Sequence, residues 1–217
     1  MFKGIKTISG RGANATMEKL YFKTSALESI ARNTLMQYKQ NYLNLEPQAV
    51  PIEKIIENVF KLDIDYVRLT ESGDELGRMI YDSGYTIYYN TEKNDYDIMR
   101  VKGGLILIES LLANDLAQYG RFRFTLAHEL AHWILHKKLY MGTKLAAATF
   151  KTDKQYDDSE EWQANYLAKA ILMPKGQVKR AFHSTTESNT NKIIKLAGIF
   201  EVSKQAMKIR LSELGLV

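Results

Sequence analysis

Arg123-Phe-Thr-Leu-Ala-His128-Glu129-Leu-Ala-His132-Trp-Ile-Leu-His136 is the stretch on which the reading of this chain turns. It contains the pattern His-Glu-x-x-His. Residues four apart lie one turn apart on one face of a helix, so the imidazoles of His128 and His132 can converge on a single metal ion. Glu129 then lies beside the metal rather than on it, where it can take a proton from water as a general base. The remaining face fits the same helix, since Ala127, Leu130, Ala131 and Ile134 form an apolar stripe that buries it. Five-residue patterns also arise by chance; the histidines would then bond to backbone and Glu129 would be solvated. The context speaks against chance, because an amphipathic helix directly after a sheet strand is the arrangement a zinc peptidase needs.

A catalytic zinc usually takes three protein ligands and keeps one position open. His136 is the tempting third. However, three side chains stacked along a straight helix spread over about 12 Å, at roughly 1.5 Å rise per residue, and cannot all reach one ion. His136 is expected instead to be a residue at the helix C-terminus, favoured there by the macrodipole. Residues 159–174, Ser-Glu-Glu-Trp-Gln-Ala-Asn-Tyr-Leu-Ala-Lys-Ala-Ile-Leu-Met-Pro, predict a second helix. Asp158 or Ser159 would cap it, Pro174 follows its end, and Trp162, Tyr166 or Leu167, Ala170 and Ile171 give it an apolar face. Glu161 is the expected third ligand. Asn165, one turn on, is placed to orient a ligand histidine from behind. Glu160, about 100° around the helix, is the competitor. An acidic first turn that serves only the helix dipole is the plain alternative for both. His183 and several tyrosines are candidates for the donor that steadies an oxyanion.

Outward from this centre, residues 1–24 mix Gly, Ser, Thr and Asn with few periodic apolar positions and read as a flexible basic arm. Ser25 and Glu28 read as a capping box. Leu27, Ile30, Ala31, Leu35 and Tyr38 then follow at helical spacing, which predicts a helix to about Tyr42. Pro47 and Pro51 break the chain before a second short helix through Ile52, Ile55, Ile56 and Val59. Ile64 to Leu69, Arg78 to Tyr81, Tyr85 to Tyr89 and Leu105 to Ile108 are short β-branched or aromatic runs separated by glycines. They predict a small sheet of about four strands. The last of them, just before the active-site helix, is expected to be its edge and to receive an extended substrate by strand addition. Helix, sheet, helix is the order of one α+β domain over residues 25–217, with 176–217 as its C-terminal helical part.

Composition excludes several classes. The 217 residues contain no cysteine, which removes disulfides, thiolate ligands and cysteine nucleophiles together. No apolar run approaches the roughly 20 residues that span a bilayer, and the N-terminus lacks the apolar core of a secretory signal; a cytoplasmic protein is expected. The net charge of +5 gathers partly in residues 1–24 and 175–217. Basic ends can attract nucleic acid or an acidic partner, although the excess is modest and a solvated surface is the simpler reading. Ile193, Leu196 and Ala197, a turn at Gly198 to Ser203, and Ala206, Met207, Ile209 and Leu211 form a helix-turn-helix-like pattern. It reads either as a DNA-binding element or as two core-packing helices that end the domain.

Three segments together resemble the ImmA/IrrE metallopeptidases. The first is Gly120-Arg-Phe-Arg-Phe-Thr-Leu-Ala-His-Glu-Leu-Ala-His-Trp-Ile-Leu-His136. The second is Glu161-x-x-Ala164-Asn165-x-x-Ala168…Leu172-Met173-Pro174. The third is Leu196-Ala…Phe200-x-Val202-Ser203-x-x-Ala206-Met207-x-x-Arg210-Leu…Leu214-Gly215. The resemblance covers residues 47–217, with Leu167 standing where many relatives have an aromatic residue. It implies a zincin-like α+β fold with a small mixed sheet, and a gluzincin-like ligand set of two His and one Glu holding Zn2+. It further implies an endopeptidase of bacteria and their mobile elements that cleaves a helix-turn-helix repressor and so derepresses genes after stress. A regulator that binds zinc and the repressor without cutting is the alternative.

Overall fold

The computed structural model describes residues 21–141 and 160–217. The chain opens with α1 (Thr24–Tyr38), whose Leu27, Ala31 and Leu35 are fully buried, and a single 3-10 turn at Tyr42–Asn44 leads to α2 (Ile52–Asn58). The strands β1 (Asp63–Val67), β2 (Gly77–Ile80), β3 (Gly84–Asn90), β4 (Asp95–Val101) and β5 (Leu105–Glu109) follow. The helices α3 (Ser110–Ala113), α4 (Tyr119–Tyr140), α5 (Glu160–Leu172), α6 (Lys175–His183), α7 (Asn189–Phe200) and α8 (Lys204–Glu213) complete the fold. It is α+β, as the order of elements implied.

The sheet is mixed. β5 lies in its centre, parallel to β1 and antiparallel to β2, with Asp63 opposite Leu105 and Met79 opposite Ile106. Side chains alternate across a strand. Ile106 and Ile108 therefore join the large core under the helices, while Leu107 joins a small cluster with Leu69, Ile80 and Val101 on the other face. β3 and β4 form a separate antiparallel hairpin with Ile87 opposite Ile98.

Several expectations are corrected here. Leu105 to Ile108 is not an edge: its run of buried apolar residues is that of a strand flanked on both sides, and β2 is the edge nearest α4. Among the described residues the strands number five, because β4 (Asp-Tyr-Asp-Ile-Met-Arg-Val) carries too much charge to read as one. Ser25 does not cap α1. The helix begins two residues earlier than that cap implies, Lys23 occupies the cap position without a side-chain bond, and Glu28 pairs with Arg210 at 2.7 Å. The helix ends at Tyr38, not near Tyr42. Of the proposed arm, residues 21–24 are held against the body, with Phe22 N–H donating to Gln163 Oε1 at 2.9 Å; residues 1–20 lie outside the described residues. So do Asp158 and Ser159.

Candidate metal centre

α4 is 22 residues long and carries the His-Glu-x-x-His pattern at its middle. Its first turns are anchored by Arg123, which is buried and donates to Val50 O at 2.7 Å and to Glu201 O at 3.1 Å. Gly120 packs so tightly on the Val202–Ser203 backbone that a Cβ there would stand 2.9 Å from Ser203 N. α5 runs alongside, and buried alanines on both helices, Ala127, Ala131, Ala164 and Ala168, are small enough for close packing.

This packing brings three donor groups together. His128 Nε2 and His132 Nε2 lie 2.9 Å apart. The Glu161 carboxylate reaches His128 Nε2 at 3.3 Å and His132 Nε2 at 3.2 Å. The two histidines face different oxygens of that carboxylate, Oε2 and Oε1, and one ligand atom from each of the three residues lies within 4.8 Å of the others, close enough for a single ion to draw them together; two imidazoles with one carboxylate are a suitable donor set for zinc. Glu160, the competing acid, points elsewhere and accepts from Tyr140 O–H at 2.6 Å.

The charges are ordered. Burial disfavours the ionised Glu161, but bonds to both histidines outweigh it and hold its carboxyl well below the usual range. Burial opposes charge on His128 too, yet Glu161 and Glu129 together raise its pKa. Glu129 is the reverse case. Its burial dominates over the attraction of His128 and His132, and its pKa is raised. One acid is therefore ionised toward the cluster while its neighbour is made more basic, the pairing that separates a ligand from a proton acceptor.

β2 walls the Glu129 side of the cluster. A Cβ on Gly77 would stand 2.7 Å from Thr125 Cγ2 and 2.9 Å from Glu129 Oε1. Only glycine lets this edge strand approach the carboxylate so closely. Neither Gly77 nor Tyr81 was singled out by the sequence. Tyr81 is buried against the rings of Trp133 and Tyr140, and burial with the nearby charge of Glu129 raises its pKa. Nothing in the local sequence sets either residue apart, because their relation to the site is made by pairing across β5.

The other expected residues fall as follows. Asn165 is close enough to His128 to interact with its ring. Nδ1 of His128, the atom an orienting partner from behind would hold, has no such partner among the described residues. His136 contributes no donor to the cluster and lies one turn before the end of α4. α4 continues to Tyr140, and His136 is fully buried, which pushes its pKa down to about 3. Trp162 is not in the core: it is 37% exposed, stacked on Tyr21. With Phe124, Ile209, Arg121, Asn165 and Glu161 it lines an open groove of about 550 Å³ beside the cluster. His183 is exposed at the end of α6 and is not part of the cluster.

The model of the M78 peptidases, described as the IrrE N-terminal-like domain, matches residues 75–212. The chain belongs to this peptidase family. The match runs from just before β2 to the end of α8 and includes every residue of the cluster. None of the curated proteins matches the chain. Among solved structures it is similar to a Mycobacterium tuberculosis transcriptional regulator at 14% identity and a TM-score of 0.48. That alignment covers 88% of this chain and spans 56% of the regulator's length. Membership in a metal-dependent peptidase family agrees with the His128–His132–Glu161 cluster. No described helix is long and apolar enough to cross a membrane.

Proposed function

We propose that this chain is a cytoplasmic zinc endopeptidase that cuts one protein substrate, a helix-turn-helix repressor, and thereby derepresses genes of a stress response or mobile element. The observation that carries the peptidase reading is the convergence of His128, His132 and Glu161 donor atoms at 2.9–3.3 Å, next to a buried Glu129. His128, His132 and Glu161 would hold the ion. Zinc would supply a Lewis acid that polarises the scissile carbonyl and the attacking water.

The chain's own residues do the rest. Glu129 accepts the proton of the attacking water and returns it to the leaving amine; its raised pKa brings it nearer the working pH of a general base. Glu161 stays ionised beside the two histidines. β2, the edge nearest Glu129, replaces β5 as the strand on which an extended substrate would lie, its backbone positioning the scissile bond. Gly77→Ala is expected to lower turnover by about a hundredfold, because it pushes that strand away from Glu129 by a fraction of an ångström to an ångström. Zinc content should be unchanged; turnover within twofold of the parent would refute the role given to the close approach.

The repressor as substrate rests on the family resemblance. Incubating the zinc-loaded chain with the repressor encoded beside its gene should give a discrete cut, while unrelated proteins stay whole. Glu161→Ala should lose both zinc and cutting, and zinc content at the parental level would return Glu160 to consideration. A repressor bound but uncut would favour the non-proteolytic regulator. The DNA-binding reading has less support, since α7 and α8 place Leu196, Phe200, Met207 and Leu211 in the main core.

A further inference from the structure

His132 turns Nε2 to the cluster and its other nitrogen, Nδ1, to Nδ1 of His136 at 3.2 Å. Both rings are sealed, His132 at 1% and His136 at 0% exposure. His136 stands one turn further along α4 and contributes no donor to the cluster. Two neutral imidazoles that meet through their Nδ1 atoms share one proton. If His136 holds it, His132 carries its own proton on Nε2 and has no lone pair to offer a metal. If His132 holds it, Nε2 is free to coordinate and His136 Nδ1 is the acceptor. Metal binding selects the second arrangement.

We propose that His136 is a positioning residue whose Nδ1 accepts the Nδ1–H of His132, fixing the tautomer and ring plane in which His132 Nε2 meets the metal. The proposal rests on the metal-centre reading above. The usual partner of a ligand histidine is a carboxylate, a backbone carbonyl or water; a buried neutral ring does the same without a further negative charge. A second feature argues that His136 is there for this bond. Its Nε2 has no hydrogen-bond partner among the described residues, and an unpaired buried donor is destabilising. An apolar side chain of similar size would avoid that loss, so packing alone does not account for a histidine.

The test compares zinc affinity, by chelator competition, in the parent, H136F and H136N. Phenylalanine keeps the ring volume and removes the acceptor, whereas the asparagine oxygen lies near the place of the lost Nδ1. H136F is expected to bind zinc about 10–100-fold more weakly and to alter the visible spectrum of the cobalt-loaded protein, while H136N stays within about threefold of the parent. Parental affinity in H136F, or equal weakening in both variants, would overturn the assignment. Should H136F fail to fold, nitrogen-15 NMR of the zinc-loaded parent decides. A proton on His132 Nδ1 and none on His136 Nδ1 is expected, and the reverse overturns it. A parent that binds zinc beside an unchanged H136F sinks this assignment alone; a parent that binds none sinks the metal centre and this assignment together.

Discussion

Glu129→Gln is expected to lower cleavage by about 10²–10⁴-fold, the contribution typical of a general acid–base group, while the protein still binds about one zinc per chain. The substitution keeps shape and removes only the ability to accept a proton. Glu129 is not one of the three converging donors, so the metal should be retained. A second consequence follows from burial, which raises the Glu129 pKa. In the metal-free protein the folded state therefore holds that proton more tightly than the unfolded chain. Stability is full below the ordinary carboxylate range and falls as pH rises through the raised folded value. Glu129→Gln removes that loss. Its melting temperature should exceed the parent's at neutral pH and match it in acid. Cleavage at the parental rate by the zinc-loaded variant would remove Glu129 from the mechanism; parallel melting curves at all pH values would remove the burial argument.

The candidate site was legible where chemistry follows helical period. His128, Glu129 and His132 are fixed by spacing four on one helix, and Glu161 by the need for a third ligand on a neighbouring one. Glu161 was preferred to Glu160 because it shares a helix face with Asn165, and the resemblance implied the same ligand set; in the structure Glu161 faces the two histidines, while Glu160 accepts from Tyr140. What the sequence could not give depends on tertiary placement. Gly77 matters because β2 abuts α4, a relation produced by β5 entering between β1 and β2 from later in the chain. The burial of His136 was not legible, because it comes from what packs around α4, which continues a further turn beyond it. Glu28 illustrates the same limit within one helix. Its spacing from Ser25 matched a capping box, but a partner 182 positions away in sequence, Arg210, holds its carboxylate instead.

Arg210 is the subject of the largest stability effect. It lies on α8 with its side chain fully buried. Its Nη1 meets Glu28 Oε1 of α1 at 2.7 Å, and its Nε donates to Met173 O, just past α5, at 3.1 Å. Tyr166 of α5 donates to the same Glu28 at 3.0 Å. One guanidinium thus binds three helices, and it sits where the carbonyl end of α5 favours a positive charge. Arg210→Ala leaves a cavity, unpaired polar groups and a carboxylate without its cation. Losing one partner of a fully buried pair costs about 3–5 kcal/mol; the Glu28 side chain is 21% exposed, so about 2–3 kcal/mol is expected, which for a chain of this size lowers the melting temperature by on the order of 5–10 °C. Arg210→Lys should recover only part, because a lysine cannot reproduce the fork that serves Glu28 and Met173 at once. The effect should reach the metal centre as well, since α5 carries Glu161. A zinc ion held by His128, His132 and Glu161 would favour the folded state, so saturating zinc should restore some of the lost melting temperature. A loss under 1 kcal/mol for Arg210→Ala, measured by denaturant unfolding of the metal-free protein, would mean that Met207 and Leu211 alone hold α8 to the body.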